Sequence, residues 1–218
     1  MTGTSLPRPR LRGVSHQIAF VSALTLAPVM IVATPGVGSR FVTGTYVTAV
    51  VGLFGVSALY HRRDWGDRGR RIMRRLDHSM IFVAIAATYT PIAVFALDDG
   101  TARWILPTVW VGAGLGIVAN LVWHRAPYPV VAAPYVALGW VGVAALPAVL
   151  EGLGVAGFAL VIVGGALFSF RAVCYALHRP NPWPRWFGYH EIFHLFVIAG
   201  VAVHYVAVAF FAVPQASA

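Results

Sequence analysis

Long runs of apolar residues, each about the length of a membrane-spanning helix, follow one another along most of the chain. A helix needs about 20 mostly apolar residues to cross the hydrocarbon core of a bilayer. Seven segments meet this requirement: 17–34, 41–61, 74–97, 103–123, 128–150, 153–177 and 189–212. Because lipid offers the backbone no hydrogen-bond partner, a spanning segment must be helical or part of a closed barrel. The pattern therefore predicts an all-α membrane protein, a bundle of seven transmembrane helices.

The same pattern predicts how the chain is divided. We expect a short basic N-terminus over residues 1–16, a single seven-helix transmembrane domain over 17–212 and a short tail over 213–218. Arginines ahead of the apolar run 18–34 also resemble the start of a signal peptide. Further hydrophobic spans follow at once, so we favour a first transmembrane helix.

Composition agrees with a protein that faces lipid. The 218 residues are 59% hydrophobic and only 11% charged, whereas a soluble domain has about 25% charged residues. The net charge is +9, and arginine supplies all 16 basic residues. This charge could indicate nucleic-acid binding, but the arginines stand mostly between the apolar runs, which is typical of cytoplasmic loops. We therefore expect membrane lipids as partners and no nucleic acid.

The positions of the arginines predict the orientation in the membrane. Seven of them lie between Arg62 and Arg75, whereas only Arg40 and Arg103 lie at the opposite ends of the spans. The remaining loop and tail arginines all fall on the side of the larger cluster: Arg8, Arg10, Arg12, Arg125, Arg179 and Arg185. Because arginine accumulates in cytoplasmic loops, we predict a cytoplasmic N-terminus and an external C-terminus. The predicted location is the cell inner (plasma) membrane, which the chain crosses several times.

Ionisable residues within the spans predict a metal site, because such residues are costly in lipid and usually face a partner or a cavity. His190 and His194 are four positions apart, so their imidazoles lie on one face of a helix. In the predicted topology His61 lies at a similar depth. Three neutral imidazoles suit Zn²⁺ and leave a fourth tetrahedral position open, as in catalytic zinc sites. The sequence thus predicts that His61, His190 and His194 bind zinc.

Two residues at the same depth are candidates for catalysis. We expect Asp77 to accept the proton of a water at the metal or to hold that water in place. Ser57 stands one helical turn from His61, where its hydroxyl could orient the water or an oxyanion. The chain has one cysteine, Cys174, which excludes an internal disulfide and a cysteine-based zinc site.

Other ionisable residues have simpler explanations. We expect His78 and His204 to be packed and hydrogen-bonded, as most buried polar groups are. Arg171 is expected to extend toward the inner headgroups. His16 and His124 lie at helix ends, where we expect them at the membrane interface.

The segment 190–194 also matches H-E-x-x-H, a motif of zinc metalloproteases in which the glutamate is the general base. An intramembrane metalloprotease is therefore an alternative function. Such a protease would not need Ser57 and His61 at the same depth. For Glu191 the alternative explanation is an acid in the first helical turn, where the helix dipole favours it.

Five sequence elements together resemble the hemolysin III family. They are R-G-V-S-H at 12–16, S-x-x-x-H at 57–61, R-R-L-D-H at 74–78, A-T-Y-T-P at 87–91 and G-Y-H-E-I-F-H at 188–194. This family is related to the progestin and adiponectin receptors and, more distantly, to the alkaline ceramidases. The resemblance implies seven helices, a cytoplasmic N-terminus and zinc bound by His61, His190 and His194. It also implies that Asp77 contacts the zinc through water and that Ser57 lies next to the ligands.

The resemblance and the predicted site lead to several functional hypotheses. The first is a zinc-dependent hydrolase of a lipid amide or ester, linked to membrane lipid homeostasis, with Asp77 and Ser57 as catalytic residues. The second is a non-enzymatic membrane sensor or homeostasis factor that zinc stabilises. A pore-forming haemolysin ranks lower, because the chain has no amphipathic pore-forming element.

Overall fold

A computed structural model describes residues 9–123 and 128–217, and within them the regular secondary structure is helical. Seven α-helices follow in order: α1 Val14–Ala33, α2 Val37–Arg62, α3 Asp67–Ala96, α4 Asp99–Val122, α5 Tyr128–Trp140, α6 Leu146–Leu177 and α7 Tyr189–Ala207. A 3₁₀ turn, Val141–Ala145, joins α5 to α6, and π and 3₁₀ turns extend α7 to Ser217. Arg8, His124 and Arg125, which were used in the sequence analysis, lie outside the described residues.

Six helical segments of the described chain are long and apolar enough to cross a membrane. One of them, Ala133–Leu177, is 45 residues long and contains most of the fifth and all of the sixth predicted span. Gly154 interrupts this segment with a φ of 66°, a left-handed conformation that glycine adopts without strain. The break lies next to the predicted boundary at 150–153. The prediction of an all-helical membrane protein is confirmed.

The helices pack mainly against their neighbours in sequence. The most extensive contacts join α1 to α2, α2 to α3, α3 to α4 and α6 to α7, and α7 also touches α1. α3 additionally contacts α5, α6 and the turns after α7, which makes it a central element. The core contains large side chains from several helices: Tyr46, Phe82, Ile105, Val109 and Val208.

The outer surface of the bundle is apolar. Val155 is 77% exposed and Phe41 is 76% exposed, and large aliphatic and aromatic residues of α1, α4 and α6 are exposed in the same way. Soluble monomers rarely expose such extensive apolar surface. In a bilayer these side chains face lipid at no cost, so the exposed pattern supports a membrane location.

Helix α4 begins at a defined cap. The Asp98 carboxylate accepts a hydrogen bond from the Thr101 N–H at 2.9 Å, which satisfies one of the amides that a helix start leaves unpaired. Hydrogen bonds from the side chain and the backbone of Thr101 hold the pKa of this carboxyl below its ordinary value. The cap keeps the connection between α3 and α4 short.

Glycines on α4 differ in what they face. A methyl group added at Gly116 would overlap the buried ring of Phe82 on α3, whereas one at Gly114 would meet nothing within 4 Å. Small residues of this kind let helix backbones approach closely in membranes. Gly116 therefore sets the distance between α3 and α4.

We expect Gly116→Ala to lower the thermal unfolding midpoint of the detergent-purified protein. Overpacking a core costs about 1–3 kcal/mol, while alanine gains about 1 kcal/mol over glycine in a helix. Gly114→Ala is the matched control and should leave the midpoint unchanged or raise it. Equal midpoints for the two variants would show that Gly116 does not limit the packing.

Candidate metal centre

Three helices bring the predicted site residues to one end of the bundle. His61 occupies the last turn of α2, and His190 and His194 lie on consecutive turns near the start of α7. Asp77 follows Asp67, the first residue of α3, by about three turns. Consecutive antiparallel helices place the end of α2 and the start of α3 at the same level, and α7 starts there as well.

The three imidazoles converge. Their potential ligand nitrogens all lie within 4.8 Å of one another. The Nε2 atoms of His61 and His190 are 3.3 Å apart, and the ring centroids of the three residues are separated by 4.6 to 4.9 Å. His61 and His194 are buried, and His190 is half-buried. The three histidines could hold a metal ion.

The donor set fits a tetrahedral ion. Nitrogens bound at about 2.0–2.1 Å to a tetrahedral metal are about 3.3–3.4 Å apart, close to the 3.3 Å between His61 and His190. In addition, Nδ1 of His194 is buried without a hydrogen-bond partner among the described residues. Most buried polar atoms are paired, so the buried, unpartnered Nδ1 of His194 beside two further imidazoles is consistent with a site that holds an ion.

The structure also brings Ser57 and Asp77 together. The Ser57 hydroxyl, which is buried on α2, is placed to donate a hydrogen bond to the carboxylate of Asp77 on α3. Asp77 itself is half-buried. It also interacts electrostatically with Tyr175, whose ring centroid lies 5.8 Å from that of His190. Asp77 therefore lies on the same side of the bundle as the histidines.

Both carboxylate oxygens of Glu191 bind residues outside the histidine cluster. Its Oε1 accepts a hydrogen bond from Arg12 Nε at 2.5 Å, and its Oε2 accepts one from the Gly188 N–H at 2.8 Å. The second bond caps the start of α7. A general base is directed at the reacting water, whereas the hydrogen-bond partners of Glu191 are Arg12 and Gly188, and Glu191 is not part of the metal-capable group. The geometry thus favours the structural explanation of H-E-x-x-H over the protease motif.

Two residues near the site were missed in the sequence analysis. His16 was expected at the interface, but it is only 3% exposed, and its ring stacks on His194 at 3.7 Å between centroids. Arg12 was counted among the basic residues of the tail, yet it pairs with buried Glu191. The only signal was the R-G-V-S-H element at 12–16, because hydrophobic patterning gives no reason to place a tail against a core.

The remaining ionisable residues lie outside the cluster. Arg171 was expected to reach the headgroups, but this was wrong: it is buried, with its guanidinium carbon 5.5 Å from the ring centre of Phe168 and 5.3 Å from that of Phe193. His204 is packed as predicted, because its Nε2 lies 3.2 Å from the Val161 carbonyl oxygen. His78 is half-buried and does not belong to the metal-capable group.

The family model and the two relatives that match this chain are all named for hemolysin III. A family model described as "Haemolysin-III related" matches residues 4–205. The protein named Hemolysin-3 of Bacillus cereus is 28% identical over 207 residues, which cover 94% of this chain and 91% of that protein. The Hemolysin-3 homolog of Bacillus subtilis (strain 168) is 32% identical over 142 residues, 65% of this chain and 64% of that protein. The resemblance drawn from the sequence motifs is confirmed.

We expect His194→Ala to abolish stoichiometric metal binding, because two imidazoles alone leave the ion weakly held. His178→Ala is the control, since His178 is exposed and lies outside the cluster. Elemental analysis of the detergent-purified proteins should find about one ion per chain in the control. Full metal retention by His194→Ala would remove this residue from the ligand set.

Proposed function

This chain belongs to the hemolysin III family, and from this we propose its function. It acts as an integral-membrane, zinc-dependent hydrolase of a lipid amide or ester and contributes to membrane lipid homeostasis. One observation carries the proposal: three convergent imidazoles, of which His190 is half-buried, lie on the same side of the bundle as a hydrogen-bonded serine–aspartate pair. A purely structural site would not need the second pair.

His61, His190 and His194 hold the metal in this proposal. Imidazole also suits iron, nickel and copper, but the nitrogen separation fits tetrahedral zinc, and oxygen-preferring ions are disfavoured by the donor set. When bound, zinc supplies a Lewis acid for a carbonyl oxygen and lowers the pKa of water to about 7. The three histidines act in their neutral forms, as metal binding requires.

Asp77 and Ser57 perform the proton chemistry. Asp77 is the carboxylate of the pair and lies on the same side of the bundle as the metal centre. In this proposal it receives the proton from the attacking water and passes it to the leaving group. Ser57 donates its hydroxyl hydrogen to Asp77 and thereby orients the carboxylate. The proposal gives Glu191 a structural part instead, because its two oxygens bind Arg12 and the Gly188 N–H.

The membrane location favours a lipid substrate. The bundle presents an apolar surface to the bilayer, so an acyl chain can approach the site laterally. Asp77 and His190 each keep part of the side chain exposed, and in this proposal the substrate carbonyl reaches the site at these two residues. A lipid amide or ester has the carbonyl that this arrangement requires.

A non-enzymatic membrane sensor stabilised by zinc is the second candidate. The observation that favours it is the wide sequence separation of the ligands: one ion would tie α2 to α7, the last helix. An ion that binds the folded state and not the unfolded one stabilises the fold. In this case the hydrogen bond between Ser57 and Asp77 only satisfies two polar side chains and has no catalytic role.

The proposal includes seven spans with a cytoplasmic N-terminus in the inner membrane. A helix of 45 residues, the length of Ala133–Leu177, would extend about 68 Å at 1.5 Å per residue, far beyond a hydrocarbon core of about 30 Å. The break at Gly154 offers a point at which two spans meet. Glu151, which is exposed beside it, would then face the external side.

We expect reporters fused to the two termini to report opposite sides of the membrane. An alkaline phosphatase at the C-terminus should be active, because the enzyme needs an external location, and a fluorescent protein at the N-terminus should fold in the cytoplasm. An odd number of spans requires this result. Both termini on one side would contradict seven spans.

We expect Asp77→Asn to retain the metal and to lose turnover by about 10²-fold or more, the usual contribution of a general base. Lipidomics of cells that express the variant should match cells without the protein, while elemental analysis shows unchanged metal. Asp67→Asn, an exposed acid at the start of the same helix, is the control and should behave as wild type. Wild-type lipid profiles with Asp77→Asn would support the sensor instead.

A further inference from the structure

The chain segment before α1 lies across the loop that leads into α7. We call residues 10–16, which comprise this segment and the first residues of α1, the N-terminal strap. The amides of Arg10 and Leu11 donate hydrogen bonds to the carbonyl oxygens of Arg185 and Trp186 at 3.1 and 3.2 Å. The guanidinium carbon of Arg10 also lies 4.4 Å from the ring centre of Trp186. The strap is therefore attached to the α6–α7 loop by its backbone and by a side chain.

An ion pair continues this attachment into the metal centre. Arg12 Nε donates to Glu191 Oε1 at 2.5 Å, and Glu191 is 1% exposed. Glu191 stands between His190 and His194 on α7 and also caps Gly188. A charge-assisted hydrogen bond to a buried carboxylate is strong and directional. The Arg12 contact thus fixes the first turn of α7, on which His190 and Glu191 lie.

The backbone of the strap also rests against α2. Gly13 is buried and has a φ of +80°. A Cβ at this position would lie 2.6 Å from the Cβ of His61, closer than unbonded carbon atoms can approach. Only glycine satisfies both conditions, because it adopts left-handed φ values and has no Cβ. The strap is therefore in direct contact with the helix that carries the first histidine.

His16 adds a contact with a second histidine of the metal centre, His194. Its ring is stacked on that of His194, with centroids 3.7 Å apart and an interplanar angle of 11°, and the side chain is buried. Ring lone pairs lie in the ring plane, so those of two parallel stacked imidazoles do not converge on one ion. His16 supports the face of His194 and is not itself part of the metal-capable set.

We propose that the N-terminal strap is a positioning element of the metal centre: through Arg12, Gly13 and His16 it holds the start of α7 against the end of α2, so that the three histidine nitrogens converge. This proposal rests on the proposed metal binding at His61, His190 and His194. Arg12 and His16 are positioning residues, because they act through Glu191 and His194. Glu191, the glutamate of H-E-x-x-H, is accordingly the residue of α7 that binds the strap.

The test measures the dissociation constant for zinc on the full-length, detergent-purified chain, by competition with a chelating dye. Arg12→Gln and Glu191→Gln should each weaken zinc binding at least tenfold, and the double variant should bind no more weakly than the worse single variant, because the two residues act as one pair. Arg12→Lys should restore part of the affinity. Arg68→Gln, which removes an exposed arginine of α3, should bind zinc like wild type.

A second pair of variants tests the stacking of His16 on His194 and leaves the Arg12–Glu191 ion pair intact. His16→Ala should weaken zinc binding several-fold, whereas His16→Phe should keep it, because a phenyl ring preserves the stacking surface without offering a nitrogen. The unfolding midpoint of each metal-free variant is measured in parallel. If an Arg12 variant fails to fold, the comparison of alanine with phenylalanine at position 16 decides the result.

The outcomes separate the two proposals. Wild-type zinc affinity in both Arg12→Gln and His16→Ala, with lower metal-free midpoints, would show that the strap is only structural and would overturn this inference alone. Loss of affinity in His16→Phe equal to that in His16→Ala would overturn the role of stacking. A wild-type chain that binds no zinc would overturn the proposed function and this inference with it.

Discussion

The Nε2 atoms of His61 and His190 face each other at 3.3 Å, and this approach joins the end of the second helix to the start of the last. Polar rings inside an apolar bundle cost free energy unless they have a partner. A shared cation would satisfy three of them at once, and Nδ1 of His194 is buried without a hydrogen-bond partner among the described residues. The loop before α7, the ion pair of Glu191 and the position of α1 all serve to bring these two helix ends together.

At the start of α7, Glu191 has both a capping role and an ion-pairing role. Glu191 caps the helix at Gly188, receives the guanidinium of Arg12 and separates the two histidines in sequence. The four-residue spacing of His190 and His194 requires an uninterrupted helix from the first turn. A frayed helix start would allow the imidazoles to diverge. Capping is therefore part of the construction of the site and not only of the helix.

The bilayer explains why the outer surface and the interior of the bundle differ in polarity. The outer faces of the helices carry exposed apolar residues such as Val155 and Phe41, which only lipid accommodates. Close helix contacts depend on small residues, as where Gly116 meets Phe82. The candidate metal centre lies at one end of the bundle, and the Ser57–Asp77 pair lies on the same side. In this arrangement the outer surface can face hydrocarbon while the polar groups of the candidate site stay within the bundle.

The sequence by itself determined the helical membrane fold and the identity of the three histidines. Hydrophobic runs and four-residue spacings are local patterns, and a bilayer leaves the backbone few alternatives to a helix. Tertiary structure alone decided what Arg12, His16 and Glu191 do. Their roles depend on contacts between residues as many as 179 positions apart, which no local periodicity encodes. It also decided that Arg171 is buried against aromatic rings, because the direction of a long side chain is set by the helices that surround it.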